Sequence, residues 1–70
     1  MTLQEQISEN IKAEILASDK TKSKIAAEIG VSKPTLSQYL SGRIQPSLLT
    51  FAKLCKALGA SADEILGLTK

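Results

Sequence analysis

Residues Lys22 to Arg43 read KSKIAAEIGVSKPTLSQYLSGR, and this stretch decides the fold. Ile25, Ala26 and Ile29 recur at helical spacing, Gly30 interrupts them, and Leu36, Tyr39 and Leu40 resume the same three-and-four step. The pattern predicts two short amphipathic helices hinged at one glycine. Gly30 falls where the first helix must end in a left-handed residue, which costs a side chain with a Cβ but not glycine. Val31 can then turn inward as an apolar plug. Ser32 suits the N-cap of the next helix, and Pro34 falls in its first turn, where no ladder donor is lost. Ala26 supplies the small side chain that a steep helix crossing after so short a turn requires.

Outward from this pair, Thr2 and Glu5 fit a capping box, and Leu3, Ile7, Ile11 and Ile15 follow at steps of four with Leu16 widening the stripe. A first helix is predicted from about Leu3 to Ala17. Ser18 to Lys20 form a turn and Thr21 caps the second helix. Lys24 stands where a capping-box glutamate would sit, so this N-terminus is more positive than stability alone favours, and an anion would relieve it. The third helix should end near Leu40, before Ser41-Gly42. After a connection from Arg43 to Pro46, Ser47 caps a fourth helix with Leu48, Phe51, Leu54, Cys55 and Leu58 on one face. Gly59 stops it. Ser61 and Glu64 suggest a second capping box for a short fifth helix, Ala62 to Leu66, closed by Gly67. No strand alternation, repeat or linker interrupts the pattern. The prediction is all-α, five helices, in one unit over residues 1–70.

The totals bound the function. Seventy residues lie near the lower limit for a core without staples. With aromatics at 3%, the core must be aliphatic. One cysteine, no histidine and no CxxC leave no metal site, no catalytic constellation and no implied cofactor, so an enzyme is disfavoured. Cys55, inside LLTFAKLCKAL, reads as a small buried hydrophobe. No apolar run approaches the ~20 residues that cross a bilayer, and MTLQEQISEN lacks the basic head and apolar stretch of a leader. The expected location is cytoplasmic, on the nucleoid when bound.

Net charge is only +2, but it is unevenly divided. Residues 1–19 set Lys12 against Glu5, Glu9, Glu14 and Asp19, a balance of −3, whereas residues 20–43 set Lys20, Lys22, Lys24, Lys33 and Arg43 against Glu28, a balance of +4. Positive charge therefore gathers on the central helix pair and points to a polyanionic partner. At 100° per residue, the side of the third helix opposite Leu36, Tyr39 and Leu40 is centred on Pro34 and Gln38, flanked by Lys33 and Ser37. Such a face fits the major groove of B-DNA: Gln38 can bond adenine at two points, Lys33 can donate to guanine, and Pro34 can touch a thymine methyl. A polar outer face is also what any solvated helix shows; the glycine turn and the local charge are what favour DNA.

Residues 21–66 resemble the helix-turn-helix domain of lambda-repressor-like proteins, the XRE or Cro/CI type, in the run IAAEIGVSKPTLSQYLSGR, then Pro-Ser, an apolar helix ending ALG, and SADEIL. The resemblance implies a compact five-helix DNA-binding domain with its helix-turn-helix at helices 2 and 3 (about 21–40). By it, Ser32, Lys33, Pro34, Ser37 and Gln38 face bases or adjacent phosphates. Lys22, with Lys24 beside it, and Arg43 take phosphate-contacting positions. Two residues depart from the family pattern: Pro34 stands where relatives often present a hydrogen-bonding side chain, and Leu49 where they usually carry a polar one. Leu49 is either extra core or an exposed contact. Tyr39 is read as core with its hydroxyl at the rim rather than as a base-stacking group.

The expected function is sequence-specific binding of double-stranded DNA by a small transcriptional repressor that acts by occupying its operator. The alternative is an antitoxin or regulatory subunit that uses the fold mainly to hold a protein partner. One recognition helix touches few base pairs, so a homodimer on a palindromic site is expected, with assembly before or upon DNA binding left open. The apolar residues available for that contact are Ile44, Leu49, Leu66 and Leu68. No membrane and no small-molecule ligand is implied.

Overall fold

Five helices follow one another in the computed structural model, which describes residues 2–68: α1 Leu3–Ala17, α2 Lys22–Ile29, α3 Lys33–Ser41, α4 Leu48–Leu58 and α5 Ala62–Leu66. Each begins at a hydroxyl residue whose side chain accepts the backbone N–H three positions on: Thr2, Thr21, Ser32, Ser47 and Ser61. These are the caps the sequence predicts, and α3 runs one residue further than expected. Thr2 and Glu5 bond reciprocally, Thr2 N–H donating to Glu5 Oε1 at 2.9 Å and Glu5 N–H to Thr2 Oγ1 at 3.1 Å. Hydrogen bonding to the Thr2 backbone N–H first, and to the Thr2 side chain second, holds the Glu5 carboxyl below its ordinary value.

The second capping box does not form. Glu64 N–H reaches Ser61 Oγ only at 3.5 Å, and the Ser61 N–H does not donate in return to the Glu64 carboxylate. The short α5 is held by tertiary contacts instead: Ile65 is fully buried, and Asn10 Nδ2 donates to its carbonyl at 2.9 Å.

All five helices contribute to one core, mostly aliphatic but holding both aromatic residues, through Ile11 and Ile15 of α1, Ile25, Ala26 and Ile29 of α2, Leu36 and Tyr39 of α3, Phe51, Leu54 and Cys55 of α4, and Ile65 of α5. α2 packs on α4 and α3, and α1 packs on α3 and α5. Val31 and Leu40 lie half-buried against this core, and Tyr39 is buried in it. Burial pushes the Cys55 thiol above its ordinary value, with the Glu14 carboxylate adding to the effect, so Cys55 stays a neutral thiol.

Three expected core leucines are exposed: Leu3, Leu16 and Leu48. Leu16 points about 140° away from the Ile7-Ile11-Ile15 line, while Leu3 and Leu48 lie in first turns that no neighbouring helix covers. Ser8 is buried in their stead, where its hydroxyl accepts from Gln45 Nε2 at 3.1 Å.

Lys20 is a structural cation. Its Nζ donates to both Glu28 oxygens, at 3.0 and 2.9 Å, and to the Ala57 carbonyl at 2.7 Å, joining the α1–α2 turn to α2 and to the last turn of α4. The ion pair is partly solvated and contributes little, but the bond at the end of α4 adds to it. Lys20→Ala should therefore lower the unfolding free energy by about 1 kcal/mol, measurable as a shifted urea midpoint with an unchanged m-value.

Candidate nucleic-acid interface

Two left-handed glycines frame α3 and fix what it presents. At Gly30 (φ 76°, ψ 31°) α2 ends. The Val31 N–H then returns to the Ala26 carbonyl at 3.0 Å, which closes the turn and swings the chain into the Ser32 cap. At Gly42 (φ 78°, ψ 9°) the pattern repeats, with the Arg43 N–H on the Gln38 carbonyl at 3.0 Å. Arg43 is thereby held directly beyond the end of α3.

Along α3 the predicted alternation is observed. Leu36 and Tyr39 are buried, whereas Lys33, Pro34, Ser37 and Gln38 are exposed. Ser32 is exposed too, but its hydroxyl is committed: it accepts the Thr35 N–H at 3.2 Å and donates to Thr35 Oγ1 at 2.9 Å. Ser41 donates to the Gln38 carbonyl at 3.1 Å. Of the five residues expected to face bases, the polar side chains without an internal hydrogen bond are those of Lys33, Ser37 and Gln38.

Lys22 and Lys24 stand exposed in the first turn of α2. Thr21 Oγ1 accepts the Lys24 N–H at 3.1 Å, leaving the Lys22 and Ser23 amides without a protein partner among the described residues. Neither α2 nor α3 has an acidic residue in its first turn. Within the described residues, Lys20–Glu28 is the one ion pair. The positive balance of residues 20–43 thus resolves into the Lys20–Glu28 pair and four cations, Lys22, Lys24, Lys33 and Arg43, that make no ion pair among the described residues. Helix N-termini rich in cations and free amides are suited to phosphate oxygens. The Lys20–Glu28 pairing crosses the α1–α2 turn, so no helical periodicity signals it.

Of the four apolar residues assigned to a protein contact, three stand in solvent: Ile44 at 40% exposure, Leu49 at 66% and Leu68 at 70%. Leu66 does not, because it packs against the core as Ile65 is drawn in. Leu49 lies about 170° from the centre of the α4 core stripe, which settles it as a surface residue. Leu48, which the sequence pattern places on the core face of α4, is exposed at 85% and rims a shallow apolar groove with Ile7, Pro46, Phe51 and Leu66.

The family model described as helix-turn-helix matches residues 11–65. Over 61 residues the chain is 34% identical to the cryptic phage CTXphi transcriptional repressor RstR of Vibrio cholerae serotype O1 (strain ATCC 39315 / El Tor Inaba N16961). That alignment covers 87% of this chain and 54% of the relative, so the chain spans about half of its length. No solved structure matches the chain significantly.

Proposed function

Since the chain belongs to the helix-turn-helix family, of the XRE or lambda-repressor-like type, we propose that it is a sequence-specific double-stranded DNA-binding transcriptional repressor that acts by occupying its operator. The observation that carries this reading is the exposed face of α3, Lys33, Pro34, Ser37 and Gln38, flanked by cations that make no ion pair among the described residues. α3 enters the major groove, where Gln38 and Lys33 bond base edges. Lys22, Lys24 and Arg43 grip phosphates on either side and set the register. Ser32 acts mainly by shaping the start of α3. The protein works in the cytoplasm, on the nucleoid, as a homodimer on a palindromic site.

Selection of bound sequences from a random duplex pool tests the reading, with a palindromic consensus expected and an unselected pool counting against it. Two variants separate the roles. Gln38→Ala should cost about 1–3 kcal/mol at one base position and relax preference there. Lys22→Ala should weaken all sequences alike and reduce the salt slope by about 1. Lys20→Ala, whose ammonium is used internally, should leave that slope unchanged. Equal loss of specific and non-specific binding in the Gln38 and Lys22 variants would show the roles to be misassigned.

A further inference from the structure

We infer that α3 reads a second sequence determinant beside the base bonded by Gln38: the 5-methyl group of a thymine, met by the ring of Pro34. This rests on α3 entering the major groove as proposed above. The reason lies in what the face cannot do. The Ser32 hydroxyl is spent on Thr35, donating to its Oγ1 and accepting its amide, Thr35 itself is half-buried, and the Ser41 hydroxyl is turned onto the helix's own Gln38 carbonyl. Pro34 has no N–H to offer. Polar readout is therefore reduced to Lys33, Ser37 and Gln38, which surround an exposed pyrrolidine ring at the centre of the face.

That ring is covalently tied to the backbone and cannot swing aside as a longer side chain would. When α3 seats in the groove, the ring covers some base edge. Over N7, O6, O4 or an exocyclic amine it would strip water from a polar atom and return no hydrogen bond. The thymine methyl is the apolar feature that the major groove displays. Contact there removes apolar surface of both partners from water. Gln38 lies one turn on, about 6 Å along the helix, so the methyl and the base read by Gln38 fall within about two base pairs of each other.

Deoxyuridine supplies a test, because it pairs as thymine does and differs only by the missing methyl. In the selected operator each thymine is replaced singly by deoxyuridine, and affinity for the full chain is measured by gel-shift titration. One thymine per half-site should show a loss of about fourfold, and the loss should vanish in Pro34→Ser, whose thymine and deoxyuridine sites should bind equally at whatever level that variant reaches. Thermal melting of Pro34→Ser by circular dichroism verifies that α3 persists. A consensus with no deoxyuridine-sensitive thymine overturns this inference alone. A penalty that survives in Pro34→Ser assigns the methyl to another residue and overturns it equally, whereas failure to select any consensus removes the DNA reading together with it.

Discussion

Gly42→Val is expected to lower the melting temperature by roughly 10–30 °C, more than the same change at Gly30. Both glycines have left-handed backbones, φ 78° and 76°, and a β-branched residue held there costs on the order of 1–3 kcal/mol. The two sites differ in what surrounds them. A Cβ added at Gly30 meets nothing within 4 Å, so the cost there is conformational alone. One added at Gly42 already touches Ser8, at 3.4 Å from its Oγ and 3.5 Å from its Cβ. The further methyls of valine must push α1 away from the end of α3 and disturb the Gln45–Ser8 bond, which adds about 1–3 kcal/mol of overpacking. A domain of 70 residues has roughly 4–10 kcal/mol in all, and each kcal/mol is worth about 4–8 °C at this size. Alanine separates the terms: Gly30→Ala and Gly42→Ala should cost similar amounts, because one Cβ fits at both places, and only the valine pair should diverge. Equal melting temperatures for wild type and Gly30→Val would refute the left-handed turn between α2 and α3.

The turns were legible because their chemistry is local. Thr21, Ser32 and Ser47 each bond an amide three residues on, and Gly30 closes a loop on Ala26, so a window of a few residues holds all the information. What the sequence left hidden runs between distant residues: Asn10 to Ile65, Gln45 to Ser8, Lys20 to Ala57. Periodicity gives the face of a helix but not the length of its cover, which is why Leu3 and Leu48 read as core although Ser8 takes that place, whereas Leu16 lies off the apolar line altogether. The site was half legible for a related reason. Ser32 satisfied two patterns at once, an N-cap and a base-facing position, and only the three-dimensional arrangement shows its one hydroxyl occupied by Thr35. In the same way the charge balance was visible in the sequence, but not that Lys20 pairs with Glu28 while the cations nearest α3 make no ion pair among the described residues.

Glutamates at Leu49 and Leu68 together should reduce affinity for a full palindromic site about 100-fold while sparing the half-site and the fold. One recognition helix with about three phosphate contacts binds at ~10⁻⁴–10⁻⁶ M, far weaker than the 10⁻⁸–10⁻¹¹ M typical of operators. Two such half-sites of ~10⁻⁵ M, joined at an effective concentration on the order of 1 mM, give ~10⁻⁷ M, so the link between copies is worth about two decades. Its salt slope should be near −5 for about six neutralised phosphates. Geometry limits how the copies meet: the Cα trace extends 31 Å at its longest, and recognition helices in successive major grooves stand about 34 Å apart. In a homodimer so placed, contact would be narrow and made at the ends of the molecules, which would favour assembly on the DNA. Leu49, pointing away from the core, and Leu68 beyond α5 are exposed apolar residues that such a contact can bury, and neither is needed inside the domain. The ratio of full-site to half-site affinity is the quantity to compare, since any repulsion between the added carboxylates and DNA acts on both. Sedimentation with and without the full site reports the copy number. A ratio near one in wild type and variant alike would mean that the protein acts as a monomer. An unchanged ratio of about 100 in the variant would move the contact to Leu48 and the groove lined by Ile7, Phe51 and Leu66.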